Sequence, residues 1–165
     1  MYIKSIYDID ICDCDGKIIR MSHFRGKFVM IVNIASDPAF NDQLEEIELC
    51  YRLFKNHKFV VLGFPTDQFN EEPLDDDELS IQLEKTSPVS FPLFKKILVN
   101  GHHAHPLFQF ITHSLPGIFG TESIKWNFTK FIIGPDGSPL KRFSPITNIH
   151  VINEYIAELV EPNRT

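Results

Sequence analysis

The fold is decided at one stretch, Asn33-Ile34-Ala35-Ser36-Asp37-Pro38-Ala39-Phe40. The apolar run Phe28–Ile34 leads into it and predicts a buried strand, and a helical pattern follows it. Where a strand ends at a helix N-terminus, backbone N–H groups and the helix dipole favour an anion such as a thiolate or a phosphate. The residue at this position is Pro38, whose side chain can neither attack nor ionise.

The residues after this stretch predict a strand–helix–strand unit. Apolar residues recur at helical spacing on one face, namely Phe40, Leu44, Ile47, Tyr51 and Phe54. A second continuous apolar run, residues 59–64, predicts a central parallel strand. Such a unit implies a sheet that is covered by helices.

The remaining pattern predicts a hairpin at each end of this unit and three further helices. The hairpins cover residues 3–20, with a turn at Asp15-Gly16, and pair residues 126–133 with 140–143. The helices cover residues 79–85, after a polar loop over 66–77, then 105–113, and a final segment that ends before Pro162. This order predicts an α/β protein with a thioredoxin-like fold, in which helices flank a central mixed sheet.

The composition predicts one globular domain over residues 1–165, since 43% of the chain is hydrophobic and fifteen residues are phenylalanine. A formal net charge of −6 disfavours nucleic acid as a partner. The sequence has no apolar stretch long enough to span a bilayer, and residues 1–5 lack the form of a signal peptide. We therefore expect a cytoplasmic protein without a membrane span.

Neither the cysteines nor the histidines predict a metal or disulfide site. The cysteines are Cys12, Cys14 and Cys50. Their odd number and wide separation favour reduced thiols over a disulfide framework. The clustered histidines are His102, His103 and His105. A structural zinc needs four convergent ligands, so we expect His102 and His103 to be solvated loop histidines, His105 to stand at the start of the helix predicted over residues 105–113, and neither metal nor cofactor.

Three segments carry a specific resemblance that extends from about residue 5 to residue 160. They are residues 26–36, the stretch Leu62-Gly63-Phe64-Pro65-Thr66-Asp67-Gln68-Phe69, and the stretch Lys125-Trp126-Asn127-Phe128-Thr129-Lys130-Phe131. In this order and at these separations they resemble the signature segments of the glutathione peroxidases. That family reduces hydroperoxides with a cysteine or selenocysteine. The resemblance implies the family's fold but does not by itself establish this activity, because one fold can carry different functions.

The resemblance also implies where a catalytic site would lie. In the family the nucleophile is found two residues after the Ala-Ser pair, and a glutamine, a tryptophan and an asparagine surround it. The corresponding residues here are Gln68, Trp126 and Asn127, with Pro38 at the nucleophile position. Cysteines that relatives often carry in the second signature or the following helix are also missing, because Thr66 takes one position and residues 79–85 contain none.

Proline at position 38 removes the nucleophile that the family uses, but it is compatible with the start of the helix. Proline has no atom that a peroxide can oxidise, and the negative charge of Asp37 would disfavour any nearby thiolate. Asp at a helix N-cap followed by proline is nevertheless a favourable helix start. The other candidate nucleophile, Cys50, would lie roughly 18 Å along the helix from Pro38. We therefore expect that peroxidase activity has been lost.

Three functions remain open from the sequence. The first is a non-catalytic homologue in which Gln68, Trp126 and Asn127 still line a polar pocket that binds glutathione, thioredoxin or a protein partner. The second is an active thiol peroxidase in the response to oxidative stress that uses a different cysteine. The third is a structural protein, in which the three side chains only support packing. Residues 111–126 lack the long insertion of tetrameric relatives and resemble the monomeric, thioredoxin-dependent subgroup that accepts phospholipid hydroperoxides, so the resemblance implies a monomer.

Overall fold

The computed structural model describes residues 3–35, 38–66, 68–69, 89–117 and 120–162. Within these ranges it contains six strands and three α-helices. The strands are β1 (Asp10–Cys12), β2 (Ile18–Arg20), β3 (Phe28–Ile34), β4 (Phe59–Pro65), β5 (Lys130–Ile133) and β6 (Pro139–Phe143). The helices are α1 (Asn41–Phe54), α2 (Pro106–Ser114) and α3 (Ile149–Val160). None of these helices has the length and apolar character to cross a membrane.

A four-stranded mixed sheet with the order β4-β3-β5-β6 forms the centre of the fold. Strands β3 and β4 are parallel, with Phe28 opposite Phe59, while β5 is antiparallel to both β3 and β6. Strands β1 and β2 form a separate antiparallel pair joined through Gly16, which confirms the predicted hairpin turn. The predicted mixed sheet with parallel and antiparallel parts is thus confirmed, although β1 is shorter than the sequence indicated.

Two apolar clusters lie on the two faces of this sheet because the side chains of β3 alternate between them. Val29 and Ile31 join one cluster, which α2 covers. Met30 and Val32 join the other, which α1 and α3 cover. The sheet is therefore flanked by helices, and β3 is buried on both faces.

The predicted central position of β4 is wrong, since this strand lies at the edge of the four-stranded sheet. Its outer side is covered by an irregular segment: Gly63 N–H donates to the Pro92 carbonyl at 3.0 Å, and Phe94 N–H donates to the Gly63 carbonyl at 3.0 Å. All seven residues of β4 are buried as a result. The continuous apolar run therefore signalled burial on every side, which a covering loop provides as well as a neighbouring strand does.

The predicted apolar stripe of the first helix is confirmed, because Leu44, Ile47 and Phe54 of α1 are buried in the core. The helix begins later than expected, at Asn41. A short 3₁₀ helix, Pro38–Phe40, precedes it, so Pro38 starts a tighter turn. Asp37, the predicted N-cap, and the predicted helix over residues 79–85 lie outside the described residues.

Gly137 provides a test of the turn between β5 and β6. Its φ is +87°, and a Cβ there would lie 2.9 Å from the Tyr7 ring and 3.1 Å from Ile6. Gly101 has the same φ but no atom within 4 Å of that position. We expect Gly101→Ala to lower the free energy of unfolding by about 1 kcal/mol, from backbone strain alone, and Gly137→Ala by about 2 kcal/mol. Urea unfolding measures both, and equal losses would contradict the steric role of Tyr7.

Candidate functional site

The loop over residues 124–129, which overlaps the third signature, is fixed to the carboxyl end of β3 by Asn33. This side chain is fully buried; its Nδ2 donates to the Trp126 carbonyl at 3.1 Å, and its Oδ1 accepts from Thr129 N–H at 3.0 Å. The Asn33 carbonyl also accepts from Phe128 N–H at 2.7 Å. These bonds take up the backbone groups that a strand would use, and Phe128 has a φ of +68°. The predicted strand over residues 126–133 therefore begins only at Lys130.

Trp126 and Asn127 lie side by side in this loop but differ in environment. The Trp126 side chain is 41% exposed, and its ring is tilted against that of Phe69 with centroids 5.8 Å apart. Asn127 is fully buried, and within the described part of the chain neither its Oδ1 nor its Nδ2 has a hydrogen-bond partner. A buried amide without a partner lowers the stability of the folded state by roughly 1–3 kcal/mol. The Asn127 Nδ2 can donate to, and its Oδ1 can accept from, a group that enters the site.

Gln68 is directed at a different part of the chain. Its Oε1 accepts from Val99 N–H at 2.5 Å and Asn100 N–H at 2.9 Å, and its Nε2 donates to the Asn100 carbonyl at 3.1 Å. The side-chain amide is therefore occupied by backbone groups of the turn at Asn100. Of the three residues that the sequence indicated, Trp126 and Asn127 share one loop, whereas Gln68 touches that loop through its neighbour Phe69.

The turn that starts at Pro38 lies against the same loop. Phe40 ends the 3₁₀ helix and contacts Phe128, with ring centroids 5.5 Å apart. The start of the first helical segment is thus placed beside the loop that carries Trp126 and Asn127. Trp126, Asn127 and the start of the helical segment at Pro38 are therefore grouped around this loop, whereas the Gln68 amide is bound to the turn at Asn100.

The three cysteines lie elsewhere, and no two of them are joined in a disulfide. Cys50 is fully buried in the cluster between the sheet and α1. Burial raises the pKa of its thiol to about 12, although the nearby Lys130 ammonium acts in the opposite direction. Cys12 ends β1 and Cys14 lies in the turn that leads to β2, and both are partly buried.

The histidines have structural or solvated positions. His105 precedes α2, and its Nδ1 accepts from Leu107 N–H at 3.1 Å, which confirms its predicted role at a helix start. Burial lowers the pKa of the His105 imidazole. His102 and His103 are exposed in the preceding loop. Across the described ranges, no three side chains of His, Cys, Asp or Glu come together in a way that could hold a metal ion.

A cavity of about 740 Å³ adjoins the turn at Val99 and Asn100 that the Gln68 amide binds. It is bounded by α2, by the turn at Asn100 and Gly101, and by Glu122 and Ser123. On its rim, His113 Nδ1 lies within hydrogen-bonding distance of Glu122 Oε1, at 2.8 Å. None of Gln68, Trp126 and Asn127 lines this cavity.

Two residues with important positions had no assigned role in the sequence interpretation. Asn33 is a polar side chain within the apolar run of β3, and Lys130 is a cation that precedes the apolar residues of β5. Both are buried, at 0% and 5% exposure. A polar residue within a buried strand is itself the signal, because such a group requires partners.

Comparison with known proteins shows what this chain is similar to. Residues 6–112 match the family model described as glutathione peroxidase. The chain is 42% identical to the glutathione peroxidase homolog BsaA of Halalkalibacterium halodurans, over 94% of this chain and 99% of that protein. For the homolog BsaA of Bacillus subtilis the values are 40%, 95% and 99%. The crystal structure of Trgpx in apo form superposes with a TM-score of 0.80 at 33% identity, covering 97% of both chains. The predicted thioredoxin-like fold is thereby confirmed.

Proposed function

Because the chain belongs to the glutathione peroxidase family, we propose that it is a non-catalytic member that has lost hydroperoxide reduction and acts as a binding or regulatory protein. The observation that carries this proposal is the identity of residue 38. Proline stands where the family resemblance places the oxidisable cysteine or selenocysteine. The neighbouring residues, Asp37 and Ala39, also depart from the usual Lys-Cys-Gly pattern.

The chemistry of the reaction explains why this one residue matters. A thiolate attacks one oxygen of the hydroperoxide, an S–O bond forms as the O–O bond breaks, and the leaving alkoxide takes a proton. The sulfur becomes a sulfenic acid, which a second thiol then reduces. Pro38 supplies neither the electron pair nor an ionisable group, and it also lacks a backbone N–H that could face the peroxide.

The cysteines that are present are poor replacements. At pH 7, a pKa of about 12 for the Cys50 thiol leaves a thiolate fraction on the order of one in 10⁵. The residue is also fully buried, so a hydroperoxide has no access to its sulfur. Cys12 lies at the end of β1 and Cys14 in the turn between β1 and β2, and neither is in the loop that carries Trp126 and Asn127.

A binding role is supported by what the site retains. The Asn127 amide is buried without a partner in the described residues, and the Trp126 ring is partly exposed beside it. An aromatic face next to an unsatisfied amide suits a small polar ligand or a protein side chain. We propose glutathione, thioredoxin or a protein partner as the ligand of a cytoplasmic monomer that forms one domain over residues 1–165.

The first test is the hydroperoxide assay. Purified full-length protein with hydrogen peroxide or an organic hydroperoxide, and with glutathione or thioredoxin as reductant, is expected to show no turnover above a protein-free control. Cys50→Ser is expected to give the same result. Turnover that disappears in Cys50→Ser, or in a Cys12→Ser/Cys14→Ser variant, would instead identify an active thiol peroxidase.

A second measurement addresses binding. A ligand that binds only the folded state raises the thermal midpoint, by an amount that corresponds to about 2.7 kcal/mol at a hundred times its dissociation constant. We expect such a shift with reduced glutathione, oxidised glutathione or thioredoxin, and its loss in Asn127→Ala. A structural protein without a ligand would show no shift with any of the three.

A further inference from the structure

A hydrogen-bonded chain connects Gln68 to the loop of Trp126 through Asn100. The backbone of Asn100 is held by the Gln68 amide, as described above. The side chain of Asn100 then binds both backbone groups of Ile124: its Nδ2 donates to the Ile124 carbonyl at 2.7 Å, and its Oδ1 accepts from Ile124 N–H at 2.7 Å. Since Ile124 lies two residues before Trp126, the chain ends next to the site.

The loop is therefore clamped at both ends by asparagine side chains. Asn100 holds its beginning at Ile124, and Asn33 holds its end at Trp126 and Thr129. Between these two clamps lie the two unfavourable features of the loop, namely the left-handed backbone conformation of Phe128 and the buried Asn127 amide without a partner in the described residues. Such features persist only where the surroundings over-determine the backbone. Without the clamps the loop would relax and hydrate the amide.

We propose that Asn100 is a positioning residue for Trp126 and Asn127, and that Gln68 acts on the site through Asn100 and not by direct contact with a ligand. The inference concerns the same site as the proposed function, and it rests on that proposed function for the existence of a ligand. The coupling of Gln68 and Asn100 to the Trp126 side chain does not depend on whether any ligand binds. We call this chain of bonds the Gln68–Asn100–Ile124 relay.

The role assigned to Gln68 follows from its hydrogen-bonding capacity. Its Oε1 already accepts two N–H groups and its Nε2 already donates to a carbonyl, all on the turn at Val99 and Asn100. One donor hydrogen of the amide remains, and the side chain is exposed. Its main contribution is thus to fix the turn from which the Asn100 side chain reaches Ile124.

The chain contains a single tryptophan, so its fluorescence reports on the loop alone. We expect Asn100→Ala to raise the acrylamide quenching constant of Trp126, by up to about twofold because the side chain is already 41% exposed. Asn100→Asp keeps the acceptor for Ile124 N–H and is expected to restore part of the wild-type value. Gln68→Ala alters an exposed side chain and is expected to give a smaller increase in a folded protein.

The double variant Gln68→Ala/Asn100→Ala distinguishes a relay from two separate effects on the quenching of Trp126. If Gln68 acts through Asn100, then Gln68→Ala adds nothing to the quenching constant of Asn100→Ala, and the double variant equals the single one. Additive increases would overturn the relay. They would indicate that Gln68 reaches Trp126 through Phe69, whose ring contacts the indole.

Asn148→Ala is the matched control. Asn148 is the N-cap of α3, where its side chain accepts from His150 N–H at 2.8 Å. Its loss costs about 1 kcal/mol of stability, similar to the loss of one clamp bond. We expect an unchanged quenching constant for this variant. If Asn100→Ala also leaves quenching unchanged, Asn100 has no positioning role. The proposed loss of peroxidase activity, which depends on Pro38, is tested independently by the peroxidase assay.

Discussion

Replacing Pro38 by cysteine is expected to raise the rate of hydroperoxide reduction at least about a hundredfold above that of the wild-type chain, which we propose to be inactive. The new thiol would be located at the start of the helical segment, where N–H groups favour a thiolate. It would also lie beside the loop that carries the unpartnered amide of Asn127. A steady-state assay with glutathione or thioredoxin as reductant measures the gain.

The pH dependence and two further variants sharpen this prediction. Asp37 disfavours a neighbouring thiolate, so turnover is expected to rise with pH through about 8.5, and Asp37→Lys in the same background should increase it at neutral pH. Pro38→Ser has no oxidisable atom and is the matched control. A folded Pro38→Cys protein without turnover would mean that the pocket itself, and not only the nucleophile, has changed. If Asn127→Ala leaves the new activity intact, Asn127 is only a packing residue.

Replacing Lys130 by methionine is expected to raise the free energy of unfolding by about 3 kcal/mol at pH 7. Lys130 is 5% exposed on β5, and burial lowers the pKa of its ammonium from 10.5 to about 8, although Glu46 and Cys50 act in the opposite direction. The folded state therefore holds a poorly solvated cation at neutral pH. Methionine has a similar length, fills the same space and carries no charge.

The pH dependence of this stabilisation has a defined sign. Between pH 8 and 10.5 the unfolded chain binds more protons at Lys130 than the folded one, so the wild-type protein regains stability as the pH rises. The advantage of Lys130→Met is thus complete below pH 8 and fades towards pH 10.5. Urea unfolding at pH 7 and pH 9.5 measures it. Lys141→Met alters an exposed lysine on the neighbouring strand and is expected to change stability by less than about 0.5 kcal/mol. A constant advantage at both pH values would contradict the assigned cause.

Much of the fold could be predicted because its signals are local. The apolar run of β3, the helical stripe of α1 and the turn at Gly16 each depend on residues a few positions apart. The order of strands was less accessible. The apolar run of β4 indicates burial, but the same run suits a central strand and an edge strand that is covered by a loop. Residues 126–129 combine strand-like composition with a conformation that Asn33 imposes from a distance.

By itself, the sequence determined the family and the proline at position 38. The signature segments are properties of the chain, and whether residue 38 contains sulfur does not depend on how the protein folds. The tertiary structure alone decided which side chains work together. Asn33 and Trp126 are 93 positions apart, and Asn100 and Ile124 are 24 apart, so no local pattern contains their hydrogen bonds. The burial that raises the pKa of the Cys50 thiol arises in the same way, because a side chain loses its water only when distant segments pack over it.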